Sequence, residues 1–205
     1  MNSLFVVGLT GPTGAGKSTV ARVLAENGCL IIDADQLARK AVEPNTACLA
    51  SLVTAFSLDI LYEDGTLNRQ ALAKRAFATP ESTALLNSIV HPCVIQMTRE
   101  LLETAPQNGY AVAVIDAPLL FQAGLGAICH CTAAVLAPTE QRLRRICVRD
   151  GITEDQARLR MAAQPDDEYY TSRATVVLQN DGDQAQFETT AQQFFEQITR
   201  WQHAQ

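Results

Sequence analysis

The sequence has no long hydrophobic run and no excess of positive charge, and each absence argues against a class of protein. No stretch approaches the roughly 20 apolar residues that a membrane-spanning helix requires. The 16 Lys and Arg residues are outnumbered by 22 Asp and Glu, giving a net charge of -6 that disfavours general binding to nucleic acid. The first residues also lack the basic segment and apolar core of a signal peptide. We therefore expect a cytoplasmic protein with no membrane and no nucleic-acid partner.

The six cysteines are scattered, and none forms the C-x-x-C pair that is typical of structural zinc sites. Residues 129–131, Cys-His-Cys, are an alternative metal site. However, they lead directly into an apolar run, and no second ligand cluster follows. We therefore interpret them as small residues at the entrance of a buried strand, and we expect reduced thiols, as in a cytoplasm.

The 205 residues are 47% hydrophobic and 19% charged, a composition typical of one globular domain. Short apolar runs predict five strands, at residues 4–8, 30–32, 110–115, 132–136 and 175–178. Helical patterns lie between them, at residues 18–26, 34–42, 46–56, 69–77, 80–103, 139–164 with a break near Gly151, and 184–201. Apolar strands that alternate with helices indicate a parallel sheet covered on both faces, and therefore the α/β class.

Residues 11–18, GPTGAGKS, match the phosphate-binding pattern G-x-x-x-x-G-K-[ST] and follow a predicted strand and precede a predicted helix. Glycines let backbone amides turn towards phosphate oxygens, and the helix N-terminus adds partial positive charge. Lys17 is then expected to reach the β and γ phosphates of a nucleotide, and the Ser18 hydroxyl to hold Mg²⁺. The alternative is a glycine-rich turn without a ligand. The predicted ATP-binding residues of this segment are Gly14, Ala15, Gly16, Lys17, Ser18 and Thr19.

Motifs and acidic residues outside the phosphate loop indicate what happens to the γ-phosphate of the nucleotide. The sequence lacks the N-K-x-D motif of GTPase switches, and Asp116 stands alone where ATPase motors usually carry an acidic pair. Asp33 and Asp35 end the second predicted strand, which places them at the same edge of the sheet as the phosphate loop. Either can act as a general base for an acceptor hydroxyl, coordinate water around Mg²⁺, or cap the following helix.

Six of the 16 basic residues lie between positions 142 and 160: Arg142, Arg144, Arg145, Arg149, Arg158 and Arg160. Arg145 and Arg149 are four residues apart and share one helix face. Such a stretch can be a solvated face that pairs with nearby acidic residues. It can also be a helical lid that brings guanidinium charge onto a transferring phosphoryl group, a role for which we select Arg145.

Several segments in order resemble the dephospho-CoA kinase family almost from end to end. IIDADQLAR (31–39) resembles the family's D-A-D motif, and LNSIVHP (86–92) resembles its L-N-x-x-x-H-P motif. PLLFQ (118–122) resembles P-L-L-F-E, and RMAAQ (160–164) resembles R-x-x-x-Q. VVLQNDG (176–182) resembles V-I-x-N-x-G. GLTGPTGAGKST (8–19) resembles the family's opening loop. DGTLNRQALAKRAF (64–77) resembles its acceptor segment, and RRICVRDGIT (144–153) resembles its lid helix.

The resemblance implies a P-loop NTPase fold of three α/β/α layers, with a five-stranded parallel sheet, a helical acceptor-binding insertion and a helical lid. It implies a core of residues 1–45, 106–138 and 170–205, an acceptor-binding part at about 46–105 and a lid at about 139–169. The implied reaction is phosphorylation of the ribose 3′-hydroxyl of dephospho-CoA, with ATP as the phosphoryl donor and Mg²⁺ as the cofactor, giving CoA and ADP. We expect a monomer or a small homo-oligomer.

The resemblance also assigns roles to residues. Lys17, Asp35 and Arg145 are catalytic, with Asp35 as general base. Arg149 joins the ATP-binding residues, while Arg69 and His91 bind the acceptor.

For His91 an alternative is a helix corner at which Pro92 starts the next helix. Departures from the family are Gln122 and Thr175 in place of acidic residues, Pro12 and Thr13 in the loop, and Pro165 after Gln164.

Two rival functions share much of this pattern. One is another small-molecule kinase on the same fold, against which the D-A-D and L-N-x-x-x-H-P segments argue. The other is a nucleotide-dependent switch, which would hydrolyse ATP slowly and without an acceptor.

Overall fold

The computed structural model describes residues 4–204, and these form two compact units. The first unit comprises the chain up to residue 32 and from residue 102 onward. The second unit comprises residues 33–101. The functions predicted for the insertion and the lid stay predictions.

A five-stranded sheet forms the centre of the first unit, in the order β2-β3-β1-β4-β5. The strands are β1 (Phe5–Thr10), β2 (Leu30–Asp33), β3 (Val112–Asp116), β4 (Cys131–Leu136) and β5 (Val176–Gln179). β1 pairs in parallel with β3 and with β4, and β4 pairs in parallel with β5. The parallel sheet predicted from the apolar runs is confirmed.

Nine α-helices accompany these strands within the described residues, eight of them between strands and the last one after β5. They are α1 (Lys17–Glu26), α2 (Ala34–Ala41), α3 (Ala47–Phe56), α4 (Arg69–Ala76), α5 (Pro80–Thr104), α6 (Thr139–Asp150), α7 (Glu154–Ala162), α8 (Asp167–Thr171) and α9 (Gln184–His203). Single turns of 3-10 helix occur at Leu58–Ile60, Pro106–Asn108 and Leu125–Ile128. No described helix combines the length and apolar character needed to cross a membrane.

The two faces of β4 show how the sheet is covered. Successive side chains of a strand point to opposite faces. Ala133 and Val135 pack in the main core, which includes residues of α1 and α9, whereas Ala134 and Leu136 pack with Tyr170 of α8. All six residues of β4 are buried, as expected for a strand between two helical layers. The largest side chains of the main core are Phe5, Leu9, Leu24, Leu178, Phe187, Phe194 and Ile198.

The break predicted within residues 139–164 is confirmed at Gly151, which follows α6 with a φ of 63°. The left-handed conformation at this position is the common way for a helix to end at glycine. α7 then begins after Thr153, whose hydroxyl accepts a hydrogen bond from the backbone of Gln156. The Gln156 side chain in turn accepts from the Thr153 backbone, completing a capping box.

Thr175, a departure from the family pattern, makes a reciprocal contact with Thr132 at the start of β4 and β5. The Thr132 amide donates to the Thr175 hydroxyl, and the Thr175 amide donates to the Thr132 hydroxyl, both at 3.1 Å. Each hydroxyl thus satisfies a backbone N–H of the neighbouring strand. A neutral side chain is therefore sufficient at position 175.

The second unit contains α2, α3, α4 and most of α5 around its own apolar core. The buried members of that core are Ala41, Val42, Cys48, Leu52, Phe56, Ile60, Leu72 and Ala76. Arg75 at the end of α4 fixes the turn after α3, because its guanidinium donates to the Phe56 carbonyl and to the Asp59 carboxylate.

Pro92 does not start a new helix, so the interpretation of His91-Pro92 as a helix corner is wrong. α5 continues from Pro80 to Thr104 with Pro92 inside it. An internal proline removes one backbone hydrogen bond and crowds the preceding turn. Ile89, Val90 and Cys93 pack against the core of the second unit, and this packing holds the helix through the proline.

Candidate active site

The loop between β1 and α1 needs glycine at two positions for different reasons. Gly11 has a φ of 136°, and a Cβ atom there would collide with the Val135 carbonyl oxygen of β4. Gly16 has a φ of 109°, and a Cβ atom there would collide with the side-chain amide of Asn180. Positive φ values are costly for residues with a side chain. The loop is therefore pressed against two other segments of the first unit.

The side chain of Lys17 bonds back to the first residue of this glycine-rich loop. Its Nζ atom donates a hydrogen bond of 3.0 Å to the Gly11 carbonyl, six residues earlier. Lys17 is also the first residue of α1, so its ammonium group and the positive end of the helix dipole lie at one place. Ser18 follows in the first helical turn with its side chain exposed. This arrangement suits the phosphates of a nucleotide.

Arg145 of α6 lies beside the same loop. Its Nη1 atom donates to the carbonyls of Gly14 at 3.3 Å and Ala15 at 3.5 Å. Its Nη2 atom donates to Gln141 at 3.1 Å and to Asn180 at 3.3 Å. The structure thus brings a guanidinium group and Lys17 to one loop of the first unit.

Arg149, one helical turn further, contacts the loop through Thr13. Its Nη2 atom lies 3.3 Å from the Thr13 hydroxyl. Its Nε and Nη2 atoms also donate to the two carboxylate oxygens of Asp150, at 2.7 Å and 3.0 Å. The hydrogen bond with Asp150 raises the pKa of Arg149, and the same bond lowers the pKa of Asp150, which also pairs with Arg160. Both groups therefore stay charged at neutral pH.

Asn180 belongs to the motif VVLQNDG (176–182), and the structure gives this residue a place in the site. It is buried, and its Nδ2 atom donates to the Ala15 carbonyl at 2.7 Å. Its Oδ1 atom accepts from Arg145, and its backbone N–H donates to the Leu136 carbonyl at 2.8 Å. One amide side chain thus ties the phosphate loop, α6 and the end of β4 together.

Replacing Asn180 by alanine is expected to lower the free energy of unfolding by about 1–3 kcal/mol, because the Ala15 carbonyl loses the shorter of its two side-chain hydrogen bonds, at 2.7 Å, and keeps only that from Arg145 at 3.5 Å. The binding of ADP should weaken as well, since the loop loses this support. Thermal unfolding and calorimetric titration with ADP measure the two effects. The matched control is Gln179→Ala, because Gln179 is the exposed neighbour in β5. Equal values for both variants and the wild type would contradict this role of Asn180.

The other predicted site residues belong to the second unit. Asp33 caps α2, because its carboxylate accepts from the Gln36 amide at 2.9 Å, and Asp35 lies exposed in the first turn of that helix. Arg69 is exposed at the start of α4. His91 is half-buried in α5, and burial lowers its pKa, so its imidazole is mainly neutral at pH 7. Their approach to the phosphate loop stays a prediction.

Residues 129–131 form a strand entrance, as interpreted from the sequence. The Nδ1 atom of His130 accepts a hydrogen bond of 2.9 Å from the Val6 amide, and its ring stacks on Phe5. Burial raises the pKa of Cys129 to about 12 and that of Cys131 to about 11, so both remain protonated thiols. Within residues 4–204 no group of three or more His, Cys, Asp or Glu side chains is arranged to hold a metal ion.

Comparison with known proteins identifies the family. A family model described as dephospho-CoA kinase matches residues 5–186. The dephospho-CoA kinase of Corynebacterium glutamicum is 45% identical over 86% of this chain and 88% of its own length. That of Mycobacterium tuberculosis is 44% identical over 86% of this chain but only 43% of its own, longer length.

Solved structures agree with this relationship. A Thermus thermophilus protein superposes with a TM-score of 0.79 at 32% identity, covering 93% of this chain and 95% of that one. A shikimate kinase from Bacteroides thetaiotaomicron, with a TM-score of 0.56 at 16% identity over 95% of this chain and 98% of its own, shares the fold alone. The chain belongs to the dephospho-CoA kinase family, which catalyses the ATP-dependent phosphorylation of dephospho-CoA in the last step of CoA biosynthesis.

Proposed function

We propose that this kinase transfers the γ-phosphoryl group of ATP to the ribose 3′-hydroxyl of dephospho-CoA, with Lys17, Asp35 and Arg145 as its catalytic residues. The observation that carries the proposal is the position of Lys17 and Arg145, whose cationic groups bond to carbonyls of one glycine-rich loop. Phosphoryl transfer depends mainly on positioning and on stabilising charge, and two cations at a phosphate loop supply both.

The donor end of the reaction uses the first unit. Backbone amides of residues 14–19 surround the β-phosphate of ATP, and Lys17 exchanges its bond with the Gly11 carbonyl for phosphate oxygens. Arg145 and Arg149 neutralise charge on the phosphates from α6. Arg145 is held by a loop carbonyl and by Asn180, so it loses little conformational freedom when ATP binds.

The acceptor end uses the second unit. Asp35 orients the 3′-hydroxyl and accepts its proton, late in the step, because such transition states are loose. The Asp35 carboxylate is exposed in the first turn of α2. Arg69 binds the phosphate groups of the acceptor, and the neutral imidazole of His91 forms a hydrogen bond with the acceptor.

Mg²⁺ fits the oxygen ligands that the first unit offers. Ser18 presents an exposed hydroxyl in the first turn of α1, and Asp116 ends β3 opposite Leu9 of β1. Mg²⁺ prefers hard oxygen ligands and usually takes one or two from the protein and the rest from phosphates and water. When bound, the ion neutralises the β and γ oxygens of ATP. Ser18 would hold the ion, and Asp116 would orient water around it.

We place the reaction in the cytoplasm. All six cysteines are free thiols, which fits a reducing compartment. The acidic net charge of -6 fits small-molecule substrates better than a nucleic-acid partner.

The test is ADP release from ATP and Mg²⁺ with and without dephospho-CoA, combined with the mass of the product. Release should depend strongly on the acceptor, and the product should gain one phosphate. The matched acceptor is 3′-deoxy-dephospho-CoA, which should give no stimulation because it lacks the reacting hydroxyl. Equal release without any acceptor would overturn the proposal and indicate a nucleotide hydrolase or switch. Stimulation by the 3′-deoxy compound would overturn the 3′ position alone.

A further inference from the structure

Thr13 is held by three side chains that all come from residues 139–164, the α6–α7 segment. Its amide N–H donates to Oε1 of Gln164 at 2.9 Å. Its carbonyl accepts from Nε of Arg142 at 3.1 Å. Its hydroxyl lies 3.3 Å from Nη2 of Arg149. Every polar group of this loop residue therefore contacts the α6–α7 segment.

One of the two side chains that bond to the Thr13 backbone, that of Arg142, is a buried charged group. Arg142 is only 6% exposed, and desolvation lowers the pKa of its guanidinium. Asp167 partly offsets this cost through an ion pair of 3.5 Å. A buried guanidinium with defined partners has little freedom to move. Arg142 and Gln164 thereby fix the backbone of Thr13, and this in turn restricts where its hydroxyl lies.

The hydroxyl contact differs from the backbone contacts because its partner is exposed. Long exposed arginines sample many rotamers, and fixing one costs free energy when a ligand binds. Asp150 holds Arg149 through two hydrogen bonds, but both residues belong to α6 and move together. The contact with Thr13 instead joins Arg149 to the phosphate loop.

We infer that Thr13 is a positioning residue for ATP, whose hydroxyl holds the Arg149 guanidinium at the phosphate loop before the nucleotide binds. The inference rests on the proposed function, in which Arg149 is an ATP ligand. Preorganisation of this kind increases affinity by reducing the entropy lost on binding. Loss of one such hydrogen bond to a charged group corresponds to about a 10-fold change in affinity.

The variants Thr13→Val and Thr13→Ser test this inference. Valine keeps the shape of threonine but lacks the hydroxyl, whereas serine keeps the hydroxyl. Thr13→Val should raise the KM for ATP about 10-fold, and the Kd of a non-hydrolysable ATP analogue equally, with kcat close to wild type. Thr13→Ser should restore both constants. If the valine variant does not fold, Thr13→Ala removes the hydroxyl without adding a branched side chain and gives the same readout.

A second arm uses Arg149→Ala and the double variant. Arg149→Ala alone should weaken binding of the analogue, and adding Thr13→Val should then change nothing, because the partner of the hydroxyl is absent. Unchanged binding in Thr13→Val, with weakened binding in Arg149→Ala, would overturn the inference and leave the proposed function intact. An effect of Thr13→Val that persists without Arg149 would also overturn it. Unchanged binding in Arg149→Ala would remove both the inference and the proposed ATP contact.

Discussion

Replacement of Arg145 by alanine is expected to lower kcat by about 10³-fold, a loss at the low end of the range for arginines that stabilise transferring phosphoryl groups. The reason lies in its position, since its guanidinium bonds to the carbonyls of Gly14 and Ala15 and to Asn180. The binding of ADP should change much less, because the transferring phosphoryl group is absent from ADP. Steady-state kinetics and calorimetric titration with ADP separate the two effects.

The matched control is Arg144→Ala, because Arg144 precedes Arg145 in α6 and is exposed. This variant should keep kcat close to wild type while carrying the same change in net charge. Arg145→Lys tests whether charge alone is sufficient, and it should recover only a small part of the activity, since an ammonium group lacks the planar fork of a guanidinium. Equal activity of the alanine variants at positions 144 and 145 would contradict the proposed role.

The phosphate loop and the sheet could be predicted from the sequence because both are local patterns. The spacing of Gly11, Gly16, Lys17 and Ser18 is determined by the geometry of one turn, and the apolar strands are short uninterrupted runs. Asn180 could not be assigned a role in this way. Its side chain bonds to Ala15, which lies 165 residues earlier in the chain, and no local sequence pattern links residues so far apart.

Thr13 illustrates a second limit of the sequence. Within the motif its position is free, so the pattern assigned it no role. Its contacts with Arg142, Arg149 and Gln164 arise only when α6 and α7 pack beside the loop. α8 was also missed, because five residues are too few to show a helical period.

The structure also decides two positions of the second unit that the sequence left ambiguous. The sequence left Asp33 open as either a helix cap or a general base, and its bond to the Gln36 amide identifies it as the cap. Pro92 suggested a helix boundary, but packing of the flanking residues carries α5 through it. In both cases a local preference permitted two structures, and contacts within the folded unit selected one.

Replacement of Asp35 by asparagine is expected to lower kcat by about 10²- to 10⁴-fold and to leave the Kd of ATP nearly unchanged. Asparagine has almost the same shape but cannot accept the proton of the 3′-hydroxyl. Asp35 is exposed in the first turn of α2, and the helix remains capped by Asp33 in this variant. Single-turnover kinetics with saturating ATP and dephospho-CoA measure the chemical step directly.

The matched control is Asp33→Asn, two residues earlier. Asparagine caps a helix as well as aspartate does, so α2 should keep its start, and activity should stay close to wild type. The two variants carry the same change in charge at nearly the same place, so a difference between them assigns the proton-accepting role to one carboxylate. If Asp35→Asn retains full activity, Asp35 has no part in the chemical step. If both variants lose activity to the same degree, the general negative charge at the start of α2 is what the reaction requires, and the assignment of a general base to Asp35 is wrong.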